Sequence, residues 1–149
     1  MTLEVIEKGT HHNEAQKQGL SVHDFVVGLP HREWSLYPET RKVLDEVRSR
    51  GYKTALISNF NDEIHTLLKE LGIYDKFDFV ISSQEAGVPK PDPRIYQFAL
   101  KKLDLLAEEA LMIGDNYDAD YQAPLDLGMQ ALFLDRNKSD LSIVLKDLN

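Results

Sequence analysis

Five side chains in this sequence are of types that hold an anion or a hard cation, and each follows an apolar run, directly or after a loop. Ser58 and Asn59 follow Thr54-Ala55-Leu56-Ile57. Their hydroxyl and amide would face the start of a helix, where unpaired amides and the positive dipole end attract anions. A plain helix-entry turn would use the same residues. Lys90 lies between Pro89 and Pro91, which lack amide donors and favour an extended backbone. Such a mount suits a lysine that must point at one phosphate or carboxylate, although a Pro-Lys-Pro loop equally well carries a solvated lysine. Asp115 ends the run Leu111-Met112-Ile113-Gly114, where a carboxylate is costly to desolvate unless it meets a cation. Mg2+ is a natural partner, being oxygen-liganded and content with one or two carboxylates plus water and phosphate. A turn acid that caps the next helix is the competing reading. Asp120, five residues on, can join such a metal site, stand behind it, or cap a helix.

For these residues to meet, the runs before them must be strands of one sheet. Pro38 suits a first helical position, Val43, Leu44 and Val47 line one helix face, and Gly51 is a stop. The run from Thr54 to Ile57 predicts a buried parallel strand. A second helix is expected from Asn61-Asp62, with Ile64, Leu67, Leu68 and Leu71 on one face and Gly72 as terminator. Phe79-Val80-Ile81 predicts another strand. Asp92 is placed to cap a third helix whose first residue is Pro93 and whose buried stripe would be Ile95, Phe98, Ala99 and Leu103. Leu111-Met112-Ile113 predicts a third strand, and a helix from Asp120 to Leu127 follows, stopped by Gly128. Ala131 to Leu134 predicts the last strand and Leu141 to Leu148 a short final helix. Apolar strands alternating with amphipathic helices describe an α/β, Rossmann-like parallel sheet with helices on both faces. Ligands bind such sheets at the carboxyl ends of the strands, so Ser58, Asn59, Lys90, Asp115 and Asp120 are expected to converge.

Composition narrows the partners. Asp and Glu number 25 against 17 Lys and Arg, a formal net charge of -8. Nucleic acid is not an expected partner, because its phosphates are bound through clustered Lys and Arg, and here the basic residues are scattered among acids. There is no cysteine, which excludes disulfide, thiolate and zinc-thiolate chemistry. No apolar run is long enough for a signal peptide or membrane span, so a soluble, cytoplasmic chain is expected. Sequence character changes once, dividing the chain into residues 1–36 and 37–149.

Order and spacing are more specific than any one of these residues. Leu56-Ile57-Ser58-Asn59, then Val88-Pro89-Lys90-Pro91-Asp92-Pro93-Arg94-Ile95-Tyr96, then Ile113-Gly114-Asp115-Asn116-Tyr117-Asp118-Ala119-Asp120-Tyr121 resemble the second, third and fourth motifs of the haloacid-dehalogenase-like (HAD) superfamily. Within it the chain is most similar to the third-numbered subgroup of animal proteins named for a HAD-like hydrolase domain, in which Ser-Asn-Phe and Gly-Asp-Asn-Tyr recur. The resemblance implies a phosphoryl-transfer site acting on a phosphorylated small molecule. It implies that Ser58, with Asn59, binds a phosphate oxygen, that Lys90 neutralises developing charge, and that Asp115 binds Mg2+. Asp120 matches the second acid of the fourth motif, as a ligand or as support for one.

The chain departs from that pattern in one place. In the family an apolar strand ending in Asp-x-Asp precedes the second motif and carries the nucleophile. Upstream of Tyr37 the only aspartate is Asp24, with no acid two residues later, and Asp118-Ala119-Asp120 follows a loop. No nucleophile is therefore assigned. Residues 1–36 look like the remnant of a helical cap, with Leu20, Phe25 and Val26 on one helix face, His11 and His12 at the surface and Trp34 against the core. The first, central strand is expected to be missing, which would leave a gap of about 9.6 Å between its neighbours, twice the strand spacing of about 4.8 Å. Four resolutions are open: insertion of Leu3-Glu4-Val5-Ile6, direct pairing of the flanking strands, a strand donated by a second chain or a homodimer, or a gene model truncated at its 5' end. The expected function is that of a HAD-like chain inactive by itself for want of a nucleophile. The alternative is a non-enzymatic binding or regulatory module built on the same core. A receiver-type signalling domain would need an acidic strand end ahead of the serine strand, and none is present.

Overall fold

Alternation of side chains along short strands decides the layering. In the computed structural model, which describes residues 35–148, strand β1 (Ala55–Ser58) places Leu56 and Ile57 on opposite faces, as successive strand residues must be. Both are fully buried, but in different cores. Leu56 shares one core with Val80 of β2 (Phe79–Ser82) and with Leu111 and Ile113 of β3 (Leu111–Gly114). Ile57 shares the other with Ile81 of β2 and Met112 of β3. Helices close both layers. On the first face lie α1 (Thr40–Ser49), through Val43, Leu44 and Val47, and α2 (Glu63–Glu70), through Ile64, Leu67 and Leu68. A 3-10 turn at Leu141–Ile143 and helix α6 (Val144–Asp147) complete that face with Leu141 and Val144. The opposite face is covered by α4 (Pro93–Leu103) through Ile95, Tyr96 and Ala99, together with Met129.

Among the described residues all strand pairing is parallel. β1 pairs with β2, Leu56 opposite Val80 and Ile57 opposite Ile81. β3 pairs with β4 (Gln130–Phe133), Met112 opposite Ala131 and Ile113 opposite Leu132. Among the described residues these form two separate two-stranded sheets. The two halves nevertheless share both cores, and Leu56, Ile57, Met112 and Ile113 of the two inner strands have no solvent exposure. Direct pairing of β1 with β3 is thus not how the chain resolves the expected gap. The other proposed occupant, Leu3 to Ile6, lies outside the described residues, as do His11, His12, Leu20, Asp24, Phe25, Val26 and Trp34.

Several element boundaries differ from expectation for physical reasons. The first helix starts at Thr40 and not at Pro38, because a turn from the Tyr37 carbonyl to the Thr40 amide at 3.1 Å precedes it. In α4 the buried stripe takes Tyr96 where Phe98 was expected. Tyr96 is fully enclosed and its hydroxyl donates to the Ala119 carbonyl, whereas Phe98 stays half-buried with the Lys102 ammonium 5.2 Å from its ring centroid. The helix expected from Asp120 to Leu127 is one turn of π-helix, Asp118–Gln122, continued by α5 (Ala123–Asp126). The 3-10 turns at Tyr74–Lys76 and Ala107–Glu109 and the four-residue helix Ser83–Ala86 have no counterpart among the expected elements. Such short elements bury little and leave almost no periodic trace. Among the described residues no helix is long and apolar enough to cross a membrane.

One long-range clasp ties the start of α1 to the segment after β4. Arg136 Nη1 donates to Glu39 Oε2 at 2.6 Å, the Leu141 amide donates to the same oxygen at 3.1 Å, and the Arg136 guanidinium lies 3.7 Å from the Tyr37 ring centroid. Burial pushes the Glu39 carboxyl up. The hydrogen bonds from Arg136, from its own backbone and from Leu141, with the Arg136 charge, outweigh that and hold it below its ordinary value of 4.5. A depressed carboxyl stabilises the fold above its unfolded value and loses that contribution as pH falls through the folded one. Glu39→Gln is therefore expected to destabilise the protein by about 1–2 kcal/mol at neutral pH. In denaturant titrations the difference from the parent should close as pH drops below 4.5; a gap that does not vary with pH would contradict the charged clasp.

Candidate functional site

Lys90 is brought inward by its flanks. β2 runs into helix α3 (Ser83–Ala86), whose Ser82 side chain accepts from the Glu85 amide, and Gly87 ends the helix at φ 82, a left-handed value suited to glycine. Beyond it, Asp92 caps α4 as expected, accepting from the Arg94 amide at 3.0 Å and from Arg94 Nη2 at 2.9 Å. The Arg94 side chain first, and its amide second, draw the Asp92 carboxyl down to about 2. Between these anchors Lys90 is only 8% exposed. Its Nζ donates to Asp120 Oδ1 at 2.8 Å.

Asn59, the first residue after β1, grips the Lys90 backbone from both sides. Its Oδ1 accepts from the Lys90 amide at 2.7 Å and its Nδ2 donates to the Lys90 carbonyl at 3.0 Å. Because Asn59 follows β1 and Asp120 follows β3, their shared partner Lys90 places the carboxyl ends of the two inner strands on one side of the molecule. That is the side where a doubly wound sheet binds its ligands.

Asp120 reaches Lys90 because of the π-turn and because residue 114 is glycine. The Asp120 amide donates to the Asn116 carbonyl at 2.8 Å, Asp120 Oδ2 accepts from the Asn116 amide at 3.0 Å, and Asn116 Oδ1 accepts from the Ala119 amide at 3.0 Å. These bonds wind the segment into a compact loop, and the Tyr96 hydroxyl ties it to α4 through Ala119. A Cβ at position 114 would come within 2.7 Å of Asp120 Cβ and closer still to its carboxyl group. Only glycine lets the strand end approach so nearly.

The two ionic side chains are 6% and 4% exposed. Desolvation of such a pair costs several kcal/mol per ion and is offset only by good geometry and further hydrogen bonds, which Asn116 supplies. Ser58 is half-buried at the end of β1, while Asp115 is exposed at the end of β3. Thus the fold joins Asn59, Lys90 and Asp120 directly and sets Ser58 and Asp115 at the ends of the flanking strands. Both Asp120 oxygens already accept hydrogen bonds, leaving Asp115 as the carboxylate better placed to take a coordination position. Among the described residues no group of three or more His, Asp or Glu side chains is arranged as a metal cage. One carboxylate is compatible with Mg2+, which retains several waters and uses phosphate oxygens. Sequence reasoning had no role for Asn116, Tyr96 or Gly114 as spacer. The Gly-Asp-Asn run was visible, but the partner of the Asp120 that it holds, Lys90, is thirty residues away.

Two substitutions test this construction by equilibrium unfolding. Gly114→Ala should cost roughly 1–3 kcal/mol through overpacking against Asp120. Asp120→Asn should cost more, roughly 3–5 kcal/mol, because it removes the counter-charge of a buried cation. Midpoints equal to the parent's in both variants would contradict the arrangement.

Known proteins share this framework. A family model described as haloacid dehalogenase-like hydrolase matches residues 4–128. The human "Haloacid dehalogenase-like hydrolase domain-containing protein 3" is 42% identical over 101 residues, covering 68% of this chain and 40% of the relative. A "Phosphoserine phosphatase" of Thermus thermophilus is 37% identical over 106 residues, covering 70% of this chain and 43% of the relative. Among solved structures, a HAD phosphatase from Thermococcus onnurineus is similar with a TM-score of 0.70 at 26% identity, covering 85% of this chain and 59% of that one. The chain therefore spans less than half the length of these two curated relatives. With a family model matched over most of its residues and the motif residues assembled on the expected strand ends, the chain belongs to the haloacid dehalogenase-like hydrolase family.

Proposed function

We propose that this chain carries the phosphate-binding and Mg2+-binding part of a phosphoryl-transfer site, and that the 149-residue chain alone does not turn over a phosphate ester. The observation that carries the reading is the buried Lys90 ammonium, held at 2.8 Å from Asp120 where the strand ends meet. A cation fixed in a low-dielectric site stabilises charge developing on a phosphoryl group far better than a solvated one. In this reading Ser58 donates its hydroxyl to a phosphate oxygen, Lys90 neutralises the phosphoryl charge, and Asp120 holds Lys90 in place. Mg2+, when bound with Asp115 as a ligand, would neutralise further phosphoryl charge. None of these groups attacks. The inactivity follows from the lack of an apolar strand ending in Asp-x-Asp upstream of Ser58, since the family's chemistry needs that nucleophile. A phosphorylated small molecule is the substrate class. A recess of about 340 Å³ beside Asn59, lined by Phe60, Asn61, Gln84 and Val88 among others, offers neutral amides and apolar surface to its remainder. The cytoplasm, where phosphorylated metabolites occur, is the proposed compartment.

A second reading, a non-enzymatic binding module, is favoured by one observation: among the described residues the inner strands β1 and β3 each pair on one side only. An added strand from a second copy or another protein would complete the sheet. Light scattering separates the readings, since a binding module should form a dimer or a stoichiometric complex, whereas a well-folded monomer speaks against it.

The primary reading is tested with the purified chain, p-nitrophenyl phosphate and Mg2+. No turnover is expected, and activity should return when an upstream strand bearing Asp-x-Asp is fused to the chain. Inorganic phosphate should bind in calorimetry and lose that binding in Lys90→Ala, with a smaller loss in Ser58→Ala. Robust turnover by the unmodified chain would refute the inactivity, and unchanged phosphate affinity in Lys90→Ala would refute the site.

A further inference from the structure

We infer that Asn59 is a positioning residue for Lys90 and not a ligand of phosphate. In Pro89-Lys90-Pro91 the only backbone N–H belongs to Lys90, because proline has none. Asn59 takes that single donor at 2.7 Å and returns a hydrogen bond to the Lys90 carbonyl at 3.0 Å. The carboxamide thereby acts as a neighbouring strand's peptide group would, in a stretch that cannot join a ladder of its own. The two residues are 31 positions apart, so the clamp locks the end of β1 to the loop entering α4. With both backbone groups of Lys90 held, the direction of its side chain toward Asp120 is set from below.

The same two bonds restrict what else Asn59 can do. They fix the amide plane against Lys90 and engage the carbonyl oxygen, an acceptor that would repel a phosphate oxygen, together with one of the two Nδ2 hydrogens, so the second hydrogen can point only where the clamp directs it. In this inference its contribution to an anion site is the placement of the ammonium. Neither aspartate, which accepts but cannot donate, nor alanine, which does neither, reproduces the clamp.

This inference rests on Lys90 being the phosphate-neutralising cation, and the experiment keeps the two apart. The 149-residue protein is labelled with [13C,15N]lysine, the Lys90 ε-methylene signal is assigned by its loss in Lys90→Arg, and the ligand-free spectra of parent, Asn59→Ala and Asn59→Asp are compared. Inorganic phosphate with Mg2+ is then titrated calorimetrically into each, and into Lys90→Ala. The expected result is a displaced or broadened Lys90 ε-methylene signal before any ligand is added, with phosphate affinity lowered roughly ten- to hundredfold in Asn59→Ala, the range for loss of one hydrogen bond to a charged group. A Lys90 signal identical to the parent's in both variants overturns the inference; if affinity falls nonetheless, Asn59 is a direct phosphate ligand. Should Asn59→Ala fail to give a cooperative melt, Asn59→Asp, which keeps the acceptor and the shape, carries the same comparison. Phosphate binding that survives Lys90→Ala refutes the proposed function, while the ligand-free Lys90 signal still decides the clamp.

Discussion

A lysine and an aspartate taken almost wholly out of water impose the main constraint on this fold, because each charge is tolerable only while the other stays within hydrogen-bonding reach. The Lys90 and Asp120 side chains are 6% and 4% exposed, with 2.8 Å between their polar atoms. Meeting that condition requires the loop after β2 and the turn after β3 to arrive at one point. The surrounding details serve this: a residue without Cβ at position 114, an amide from Asn116 on the second Asp120 oxygen, and a tyrosine of α4 holding the turn through Ala119. Buried pairs of this kind are weak contributors to net stability but costly to break singly.

The sheet shows how such a site is mounted on few residues. Each described strand has four residues, yet β1, β2 and β3 each send side chains into both apolar cores. Short parallel strands gain little from their own ladders and depend on the helices that cover them. The helices on the first face bury Leu44, Leu67 and Leu68, and the opposite helix buries Tyr96. The same Tyr96 that fills the second core also bonds the π-turn, so packing and site geometry share a residue.

Membership of the haloacid dehalogenase-like hydrolase family concerns the framework and its motifs. The curated relative named a phosphoserine phosphatase is matched over 43% of its length, so its activity informs the proposal for this chain and is not transferred to it. In the proposed reading the described residues supply binding and charge compensation. Electrostatic positioning of this type supplies much of the catalysis in phosphoryl transfer, but it needs a nucleophile to act upon.

Local chemistry was legible without coordinates wherever it was local in sequence. The apolar periodicity of Ile64, Leu67 and Leu68, the Asp92 cap on α4, the strand runs ending at Ser58 and Gly114, and the α/β class all depend on neighbours within a few residues. So does the motif order that marked the family and singled out Ser58, Asn59, Lys90, Asp115 and Asp120. Tertiary structure alone decided what those residues do to one another. That Asn59 spends its amide on the Lys90 backbone, that Asp120 is the buried partner of Lys90, and that the Tyr96 hydroxyl bonds the Ala119 carbonyl are contacts between segments more than twenty residues apart. Residue type and spacing along the chain carry no record of such distances, because they are set by how two covered sheets and their helices close on each other.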